Sequence, residues 1–433
     1  MRIGIIGCGY VFDHYMATMD RHPHIKIVGV ADRDAARLAQ ATDFYQLQRF
    51  ESVEALLKDS SIEIIVNLTS IESHYEVTKA SLVAGKHVYS EKPFVTDMEQ
   101  AYELVSLADS RGLRLSCAPS NALSATSQTM WRAVADGAIG DVRMVYAEFD
   151  DNPIYLMSPE LWRSRSGAPW PYLHEYEMGC TWEHVGYHLT WMCAIFGPVR
   201  SVTAFSKRTL PDKTDRKLHP EDTPDFSVAC LDFEGGVVGR ITCSISAPYD
   251  HRMRIFGNSG MVHADTYRHY ECPVYLERFT KLTMNARKAR SVRTSSILQW
   301  IFGVGGKRVR LMGYAQRAEP KKWSWSLNGI VSRFKSDQLG RQDKTIGISE
   351  LGKAIHESRP HFPPTDFTLH LTELTLTIQG AGSSGLSHNL TTRFDSAEIN
   401  RHLLPSSINY ARYAKRGWFA ALWEGMLDRM HRH

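Results

Sequence analysis

The residues with the clearest chemical meaning are Glu91-Lys92-Pro93, which follow the short apolar stretch His87–Ser90. If that stretch is a strand of a parallel sheet, Lys92 lies at its carboxyl end, where such sheets bind nucleotides. An ammonium group there can stabilise a developing oxyanion or, when desolvated, transfer a proton. The alternative without chemistry is a strand end with a solvated ion pair and a helix-starting proline.

A Gly-rich turn after the first strand is a candidate cofactor site. Gly7 would allow a tight turn, and Gly9 would let the backbone approach a pyrophosphate at the amino end of a helix. Phe12 occupies the third glycine position, so we expect this helix to pack differently on the strand. Asp32 ends the next strand and is suited to the ribose hydroxyls of NAD, while Arg33 keeps NADP as an alternative. An ordinary turn with a surface aspartate is the competing interpretation.

Two histidines, His184 and His188, lie four positions apart on one face of a predicted helix. Histidine titrates near neutrality and therefore suits acid/base catalysis beside a nicotinamide ring. The same spacing suits a divalent metal, with Glu183 or Glu177 nearby. No third ligand has diagnostic spacing, so we predict no metal site. Two hydrogen-bonded helix histidines are the alternative.

The elements that must position these residues fall into two patterns. Residues 1–120 alternate strands with helices, which predicts an α/β domain with a doubly wound parallel sheet. Residues 121–395 are richer in strands, with a hairpin turn at Glu234-Gly235-Gly236, which predicts an α+β domain with a large, mostly antiparallel open sheet. Residues 396–433 are predicted to be a helical tail. The predicted strands are Arg2–Ile6, Lys26–Ala31, 63–69, His87–Ser90, 113–118, 142–149, 199–206, Phe226–Phe233, 237–246, 251–257 and Gly260–Ala264.

Several motifs occur together in order, and they resemble the Gfo/Idh/MocA oxidoreductases over about residues 1–275 and again over 346–395. The resemblance implies a Rossmann domain followed by a domain whose open sheet often forms homo-oligomers. It also implies NAD(P)-dependent hydride transfer at a hydroxyl or carbonyl carbon of a sugar, cyclitol or nucleotide-sugar-like substrate. The motifs are Gly7-Cys8-Gly9, Ala31-Asp32, Asn67-Leu-Thr69 with His74, Ala84 to Pro93, and Asp136 to Val142.

Carried over by position, Lys92 is the expected active-site lysine, and the Lys92-Pro93 peptide is expected to be cis. His188 is the expected acid/base. The family's aspartate position is His184, which we expect to orient Lys92 or a second hydroxyl, because Glu183 is predicted to point elsewhere on the helix. The predicted cofactor contacts are Gly7, Gly9, Tyr10, Val11, Asp32, Arg33, Asn67, Thr69, His74, Glu91 and Lys92, and the predicted substrate contacts are Trp162, Arg163 and Glu177.

A basic stretch interrupts the resemblance at about residues 281–345. It carries fifteen Lys or Arg and three Asp or Glu, although the whole chain has a net charge of only +4. Aromatic residues alternate with these cations, which suits an anionic membrane surface, a polyanionic glycan or a phosphorylated sugar. The simpler interpretation is a solvated flap that packs on the body or on another subunit. No recognised nucleic-acid reader occurs, so we predict no nucleic-acid partner.

Composition gives the remaining expectations. A chain of 433 residues favours two domains. The seven cysteines are odd in number and lack Cys-x-x-Cys spacing, which predicts free thiols in a reducing compartment. With no visible signal peptide or long apolar run, we expect a cytoplasmic enzyme. Two other functions stay open for this architecture: an NAD-dependent glycosidase and a non-catalytic NAD(P)-sensing regulator.

Overall fold

The computed structural model describes residues 1–312 and 340–403. Its first sheet contains five parallel strands in the order β2-β1-β3-β4-β5, which confirms the predicted doubly wound sheet. The chain moves from β1 to one side and then crosses to the other, so the topological switch point lies between β1 and β3. These strands are β1 Arg2–Ile6, β2 Lys26–Ala31, β3 Ile64–Asn67, β4 His87–Ser90 and β5 Leu115–Cys117.

Five helices connect or flank these strands, and side chains that accept backbone hydrogen bonds define several of their starts. Asp34 accepts hydrogen bonds from the amides of Ala36 and Arg37, and Asp97 accepts one from Gln100. Such caps satisfy amides that have no partner within the helix. The helices are α1 Phe12–Met19, α2 Ala35–Tyr45, α3 Val53–Lys58, α4 Ile71–Val83 and α5 Met98–Ser110.

The second sheet contains nine strands and confirms the large, mostly antiparallel sheet of the prediction. Only β6 and β9 run parallel among its described pairs. The order is β13-β12-β11-β10-β6-β9-β8-β7-β14. The prediction lacked the three strands β12, β13 and β14. The nine strands are β6 Val142–Asp150, β7 Val199–Lys207, β8 Phe226–Phe233, β9 Val238–Ser244, β10 Met253–Gly257, β11 Gly260–Ala264, β12 Val274–Arg278, β13 Lys307–Val309 and β14 Leu386–Asn389.

The longest described helix, α8, packs on β6 and β9 and carries the residues 183–188 toward the first domain. One late helix, α12, packs instead on the first sheet, where Ile348 and Leu351 join the core around Ile3 and Ile5. The predicted tail begins as a helix, α14, but residues 404–433 lie outside the described residues. The helices are α6 Ala125–Ala135, α7 Tyr172–Met178, α8 Cys180–Phe196, α9 Lys281–Ala286, α10 Arg290–Thr294, α11 Ser296–Phe302, α12 Thr345–His356, α13 Thr365–Gln379 and α14 Ser396–Leu403.

Two further observations concern the cysteines and the length of the helices. All seven cysteines are free thiols; six are buried and Cys230 is exposed. Within residues 1–312 and 340–403, no helix is both long and apolar enough to cross a lipid bilayer.

Candidate active site

The Gly-rich turn fits a dinucleotide. Gly7 has φ +101°, and a Cβ there would lie 2.6 Å from the Leu68 carbonyl, so only glycine suits the close approach of β1 and β3. A Cβ at Gly9 would meet nothing within 4 Å. This open space above the turn, at the start of α1, is where a pyrophosphate can approach the backbone. Phe12 is fully buried and packs edge-on against Tyr45, which is how the helix accommodates a large ring at the third position.

Asp32 holds the turn in place. Its carboxylate accepts a 2.7 Å hydrogen bond from the Cys8 amide and a 2.8 Å bond from the Asp34 amide. Each oxygen keeps a lone pair for a ribose hydroxyl. Arg33 is exposed beside it, and Val11 immediately precedes α1.

The predicted contacts after β3 form a tight network rather than a free surface. Asn67 is fully buried, donates to the His74 carbonyl and the Thr78 hydroxyl, and accepts from the Thr69 hydroxyl at 2.7 Å. The His74 ring bridges the carbonyls of Pro93 and Thr69, at 2.7 and 3.1 Å. Asn67 and His74 therefore shape two loops at the sheet edge. The Tyr10 ring lies 5.6 Å from that of His14, at the start of α1.

Glu91 is a buried carboxylate at the centre of the site. It accepts hydrogen bonds from Tyr15, from the Lys92 amide and from Lys344, at 2.8 to 2.9 Å. Burial alone would raise its pKa, but the charges of Lys344 and Lys92 lower the pKa of Glu91 to about 2. Lys344 was missed as a site residue: it lies in the predicted basic insertion, 253 positions from Glu91, and no local pattern connects the two.

Lys92 is paired with Glu183, and here the prediction that Glu183 points elsewhere is wrong. The Lys92 Nζ lies 2.5 Å from Glu183 Oε2, with 16% and 10% of the two side chains exposed. The Lys92-Pro93 peptide is cis, as expected. Burial would lower the pKa of Lys92, but Glu183, Tyr187 and Glu91 raise it, so the group remains an ammonium at neutral pH. A carboxylate therefore balances Lys92 although the family's aspartate position is a histidine.

His184 packs beside this pair. Its ring stacks on Phe149 with the centroids 4.3 Å apart, and its Nε2 contacts Glu175 Oε1. Burial, followed by the charge of Lys92, lowers the pKa of His184 to about 3, while burial raises the pKa of Glu175. His184 is therefore neutral. Both its ring nitrogens are buried, so it brings no accessible donor or acceptor into the cleft.

His188 does not have the geometry of the predicted acid/base. It is fully buried; its Nε2 donates to the Glu148 carbonyl at 2.7 Å, and its Nδ1 accepts from the Trp191 indole at 2.9 Å. Burial lowers its pKa to about 3. Both nitrogens are occupied by protein partners, so the neutral ring joins α8 to β6 instead of facing a substrate.

The predicted substrate residues are not gathered around Lys92. The Trp162 ring packs at a tilt against Trp170, with the centroids 4.7 Å apart. Arg163 is exposed and donates to the carbonyls of Glu160 and Trp162 within its own loop. The Glu177 carboxylate accepts from the His219 amide. Of the two glutamates of α7, Glu175 faces the site, whereas Glu177 is turned toward the loop that follows β7.

Arg268 is a second residue near the site that no sequence pattern indicated. Its guanidinium donates to Asp151 at 2.9 Å and to the Tyr267 hydroxyl at 3.1 Å. One third of its side chain is exposed, and its charge acts on both His184 and Glu175. It is therefore a partly exposed cation of the second domain near His184 and Glu175.

Sequence comparison finds relatives among dehydrogenases. The trans-1,2-dihydrobenzene-1,2-diol dehydrogenase of Bos taurus is 27% identical over 267 residues, covering 60% of this chain and 73% of the relative. The Homo sapiens enzyme of the same name is 27% identical over 268 residues, with the same shares.

Solved structures of other proteins share the fold over most of this chain and over nearly all of their own length. The WlbA dehydrogenase from Bordetella pertussis, in complex with NADH and UDP-GlcNAcA, has a TM-score of 0.63 at 18% identity and covers 91% of this chain and 98% of its own. The UDP-N-acetylglucosamine 3-dehydrogenase GnnA from Acidithiobacillus ferrooxidans has a TM-score of 0.59 at 19% identity, with coverages of 89% and 98%.

Family models account for more than half of the chain. The model described as an oxidoreductase family with an NAD-binding Rossmann fold matches residues 1–118. The model of the GFO/IDH/MocA C-terminal domain matches residues 127–263. The chain therefore belongs to the GFO/IDH/MocA family of NAD-binding oxidoreductases.

Proposed function

We propose that the protein interconverts a secondary hydroxyl and a ketone on a sugar, cyclitol or nucleotide-sugar-like ring. The observation that carries this proposal is the buried Lys92–Glu183 pair at the carboxyl edge of the first sheet, beside the Gly-rich turn. A nicotinamide cofactor bound at that turn supplies the hydride acceptor or donor. The turn, Asp32 and the loop at Thr69 are the residues that would hold it.

The Lys92–Glu183 pair is proposed to exchange one proton with the reacting oxygen. In the oxidative direction the hydroxyl proton passes to the Glu183 carboxylate, because Lys92 is already an ammonium, and the Lys92 charge stabilises the negative charge that develops on oxygen. In the reductive direction the pair returns that proton to the new alkoxide. Glu91 accepts a hydrogen bond from the Lys92 backbone amide and pairs with Lys344, which positions the Lys92 backbone. His184 and Glu175 contact each other and line the cleft beside the Lys92–Glu183 pair.

The substrate class rests on the relatives' names and on the charges at the cleft. The relatives act on a ring 1,2-diol or on UDP-N-acetylglucosamine, both of which carry neighbouring polar groups on a ring. Arg268, in the second domain, suits an anionic or polyhydroxylated substituent of the same substrate. We propose Arg268 for the role first assigned to Arg163.

The decisive experiment measures NADH absorbance with a panel of sugars, cyclitols, nucleotide sugars and ring diols. For a substrate found in this way, Lys92→Met is expected to lower kcat about 10²- to 10³-fold, and Glu183→Gln about tenfold or more. Glu183→Gln also removes the negative charge that raises the pKa of Lys92. The alkaline limb of the pH profile is therefore expected to move to lower pH.

The surface pair Lys79–Glu103 provides matched controls, because it joins the same residue types on α4 and α5 far from the cleft. Lys79→Met and Glu103→Gln should leave kcat unchanged, and NADH affinity should be similar in all four variants. Unchanged turnover in Lys92→Met would contradict the proposal. Sugar release without net NADH would instead indicate a glycosidase, and NADH binding without any turnover would indicate a sensor.

A further inference from the structure

The basic insertion begins with a segment of one-sided charge. Residues 281–312 carry eight Lys or Arg and no Asp or Glu. They form α9, α10 and α11 and then the short strand β13, which pairs with β12 at one edge of the large sheet. This segment lies beyond the residues that the two family models match.

The base of this segment is firmly attached to the body. Leu282, Ala286 and Val292 are buried to 8% exposure or less. The carboxylate of Glu277, on β12, is buried; it accepts from the Arg287 guanidinium at 2.9 Å and from the Gly305 amide at 2.6 Å. Helices α9 and α10 are therefore anchored to the body of the protein. This anchoring fixes the position of α11 and thus which of its side chains face solvent.

Helix α11 displays its apolar residues outward. Ile297, Trp300 and Ile301 are exposed by 69%, 82% and 45%, and no residue of this helix is buried. Their spacing of three and four places them on one helical face. Met284, on α9, adds a further apolar side chain at 48% exposure. A cluster of this kind marks an interaction surface, because single exposed apolar residues are normal but contiguous ones are not.

Exposed cations accompany this apolar face. Lys288, Arg290 and Arg293 are exposed on the turn and helix immediately before α11. We propose that residues 284–301 bind the protein to an anionic lipid surface, with Trp300 and the isoleucines inserted at the headgroup level and the cations on lipid phosphates. Tryptophan prefers this interface, and each cation near an anionic leaflet adds to binding. A polyanionic glycan would use the cations, but it would not need the apolar face.

The test is co-sedimentation of the full chain with two kinds of vesicle: phosphatidylcholine alone, and phosphatidylcholine mixed with phosphatidylglycerol. Binding is expected only to the mixed vesicles and should weaken as salt is added. Trp300→Ala should lower the partition coefficient about tenfold. The double variant Arg290→Glu, Arg293→Glu should lower it by roughly fivefold or more for each charge.

Matched controls lie elsewhere on the surface. Leu156 is 71% exposed, so Leu156→Ala tests the loss of an exposed apolar side chain, and Arg216→Glu with Lys217→Glu tests charge reversal. Both controls should bind mixed vesicles like the parent. Circular dichroism and NADH affinity check that every variant is folded.

Several results would overturn the proposal. Equal binding to both vesicle types would remove the electrostatic component. Parent-like binding by Trp300→Ala would place the contact elsewhere in the chain. Retention on heparin without vesicle binding would indicate a glycan surface, and a lipid-free oligomer that Trp300→Ala dissociates would indicate that a second copy covers this face.

Discussion

The charge that balances Lys92 comes from Glu183, one position before His184, which occupies the family's aspartate position. Neighbours on a helix differ in direction by about 100°, so sequence position alone suggests that only one of Glu183 and His184 faces the cleft. Helix α8 is buried on most sides, and both residues meet the interdomain region. The longer glutamate side chain reaches the ammonium, while the imidazole stacks on Phe149.

For His188 we predict a role in stability. His188→Ala leaves the Trp191 indole N–H and the Glu148 carbonyl without their partner, and unsatisfied buried groups cost about 1–3 kcal/mol each. Urea unfolding should show a loss of about 2–4 kcal/mol. The folded fraction should keep the pH profile of the parent. Loss of one limb of that profile would instead assign His188 to proton transfer.

For Glu91 we predict a stabilising effect that depends on pH. Its pKa is about 2 in the folded protein, compared with an ordinary value of 4.5, because Lys344 and Lys92 outweigh its burial. Because the pKa of Glu91 is lower in the folded protein, the ionised carboxylate stabilises the fold at pH values above 4.5. This stabilisation is lost as the pH falls from 4.5 toward 2. The shift corresponds to about 3 kcal/mol.

The measurement is urea unfolding of the parent and Glu91→Gln between neutral pH and about pH 3. The difference in unfolding free energy between the parent and Glu91→Gln should shrink by about 2 kcal/mol over this range. The reason is that at pH 3 the Glu91 carboxyl is mostly protonated in the unfolded chain but still mostly ionised in the folded protein. The exposed Glu99→Gln is the control and should differ little from the parent throughout. A difference for Glu91→Gln that does not change with pH would contradict the assignment.

At the scale of elements, local patterns predicted most strands well. The bounds of β1, β2, β4, β8 and β11 match the prediction, because each is an apolar or alternating run with clear ends. Strands β12, β13 and β14 were not predicted, and for β13 and β14 there is a clear physical reason. They are short, mostly exposed edge strands, and pairing with β12 and β7 defines them rather than their own residues.

Two variants of the Gly-rich turn are expected to have different effects, one on folding and the other on cofactor binding. Gly7→Ala should lower the free energy of unfolding by about 2 kcal/mol or more, since it adds a Cβ at positive φ against the Leu68 backbone. Gly9→Ala should fold like the parent but bind NADH more weakly, because its Cβ projects into open space above the turn. Urea unfolding and NADH fluorescence titration measure the two effects. Parent-like NADH affinity in Gly9→Ala would contradict this placement of the pyrophosphate.

At the scale of the whole molecule, helices cover one face of the large sheet, and among the residues that the structure describes the other face carries exposed side chains. Val145 and Ala147 point toward α8 and are fully buried. Their neighbour Met144 and its register partner Val238 point to the other side and are 41% and 49% exposed. We propose that this exposed face joins copies of the chain, as the family resemblance implied.

The test replaces an apolar residue of that face with a charge. Val238→Glu is expected to shift the protein toward monomer in analytical ultracentrifugation, because it would place an unpaired carboxylate in the interface. Val83→Glu, on helix α4, is a matched control, since Val83 is 53% exposed. It should keep the oligomeric state of the parent. A parent that is monomeric at all concentrations would contradict the proposal.

Local sequence patterns identify the elements and motifs that depend on neighbouring residues. The turn at Gly7, the carboxylate of Asp32 and the lysine at the end of β4 follow from local spacing, because backbone geometry and strand periodicity are local properties. The long-range partners follow from the tertiary structure: Glu183 for Lys92, Lys344 for Glu91, and the Glu148 carbonyl for His188. The first two contacts depend on how α8 is rotated against the first domain and on where a distant segment returns, so packing of the two domains determines them. The third depends on how α8 packs on β6.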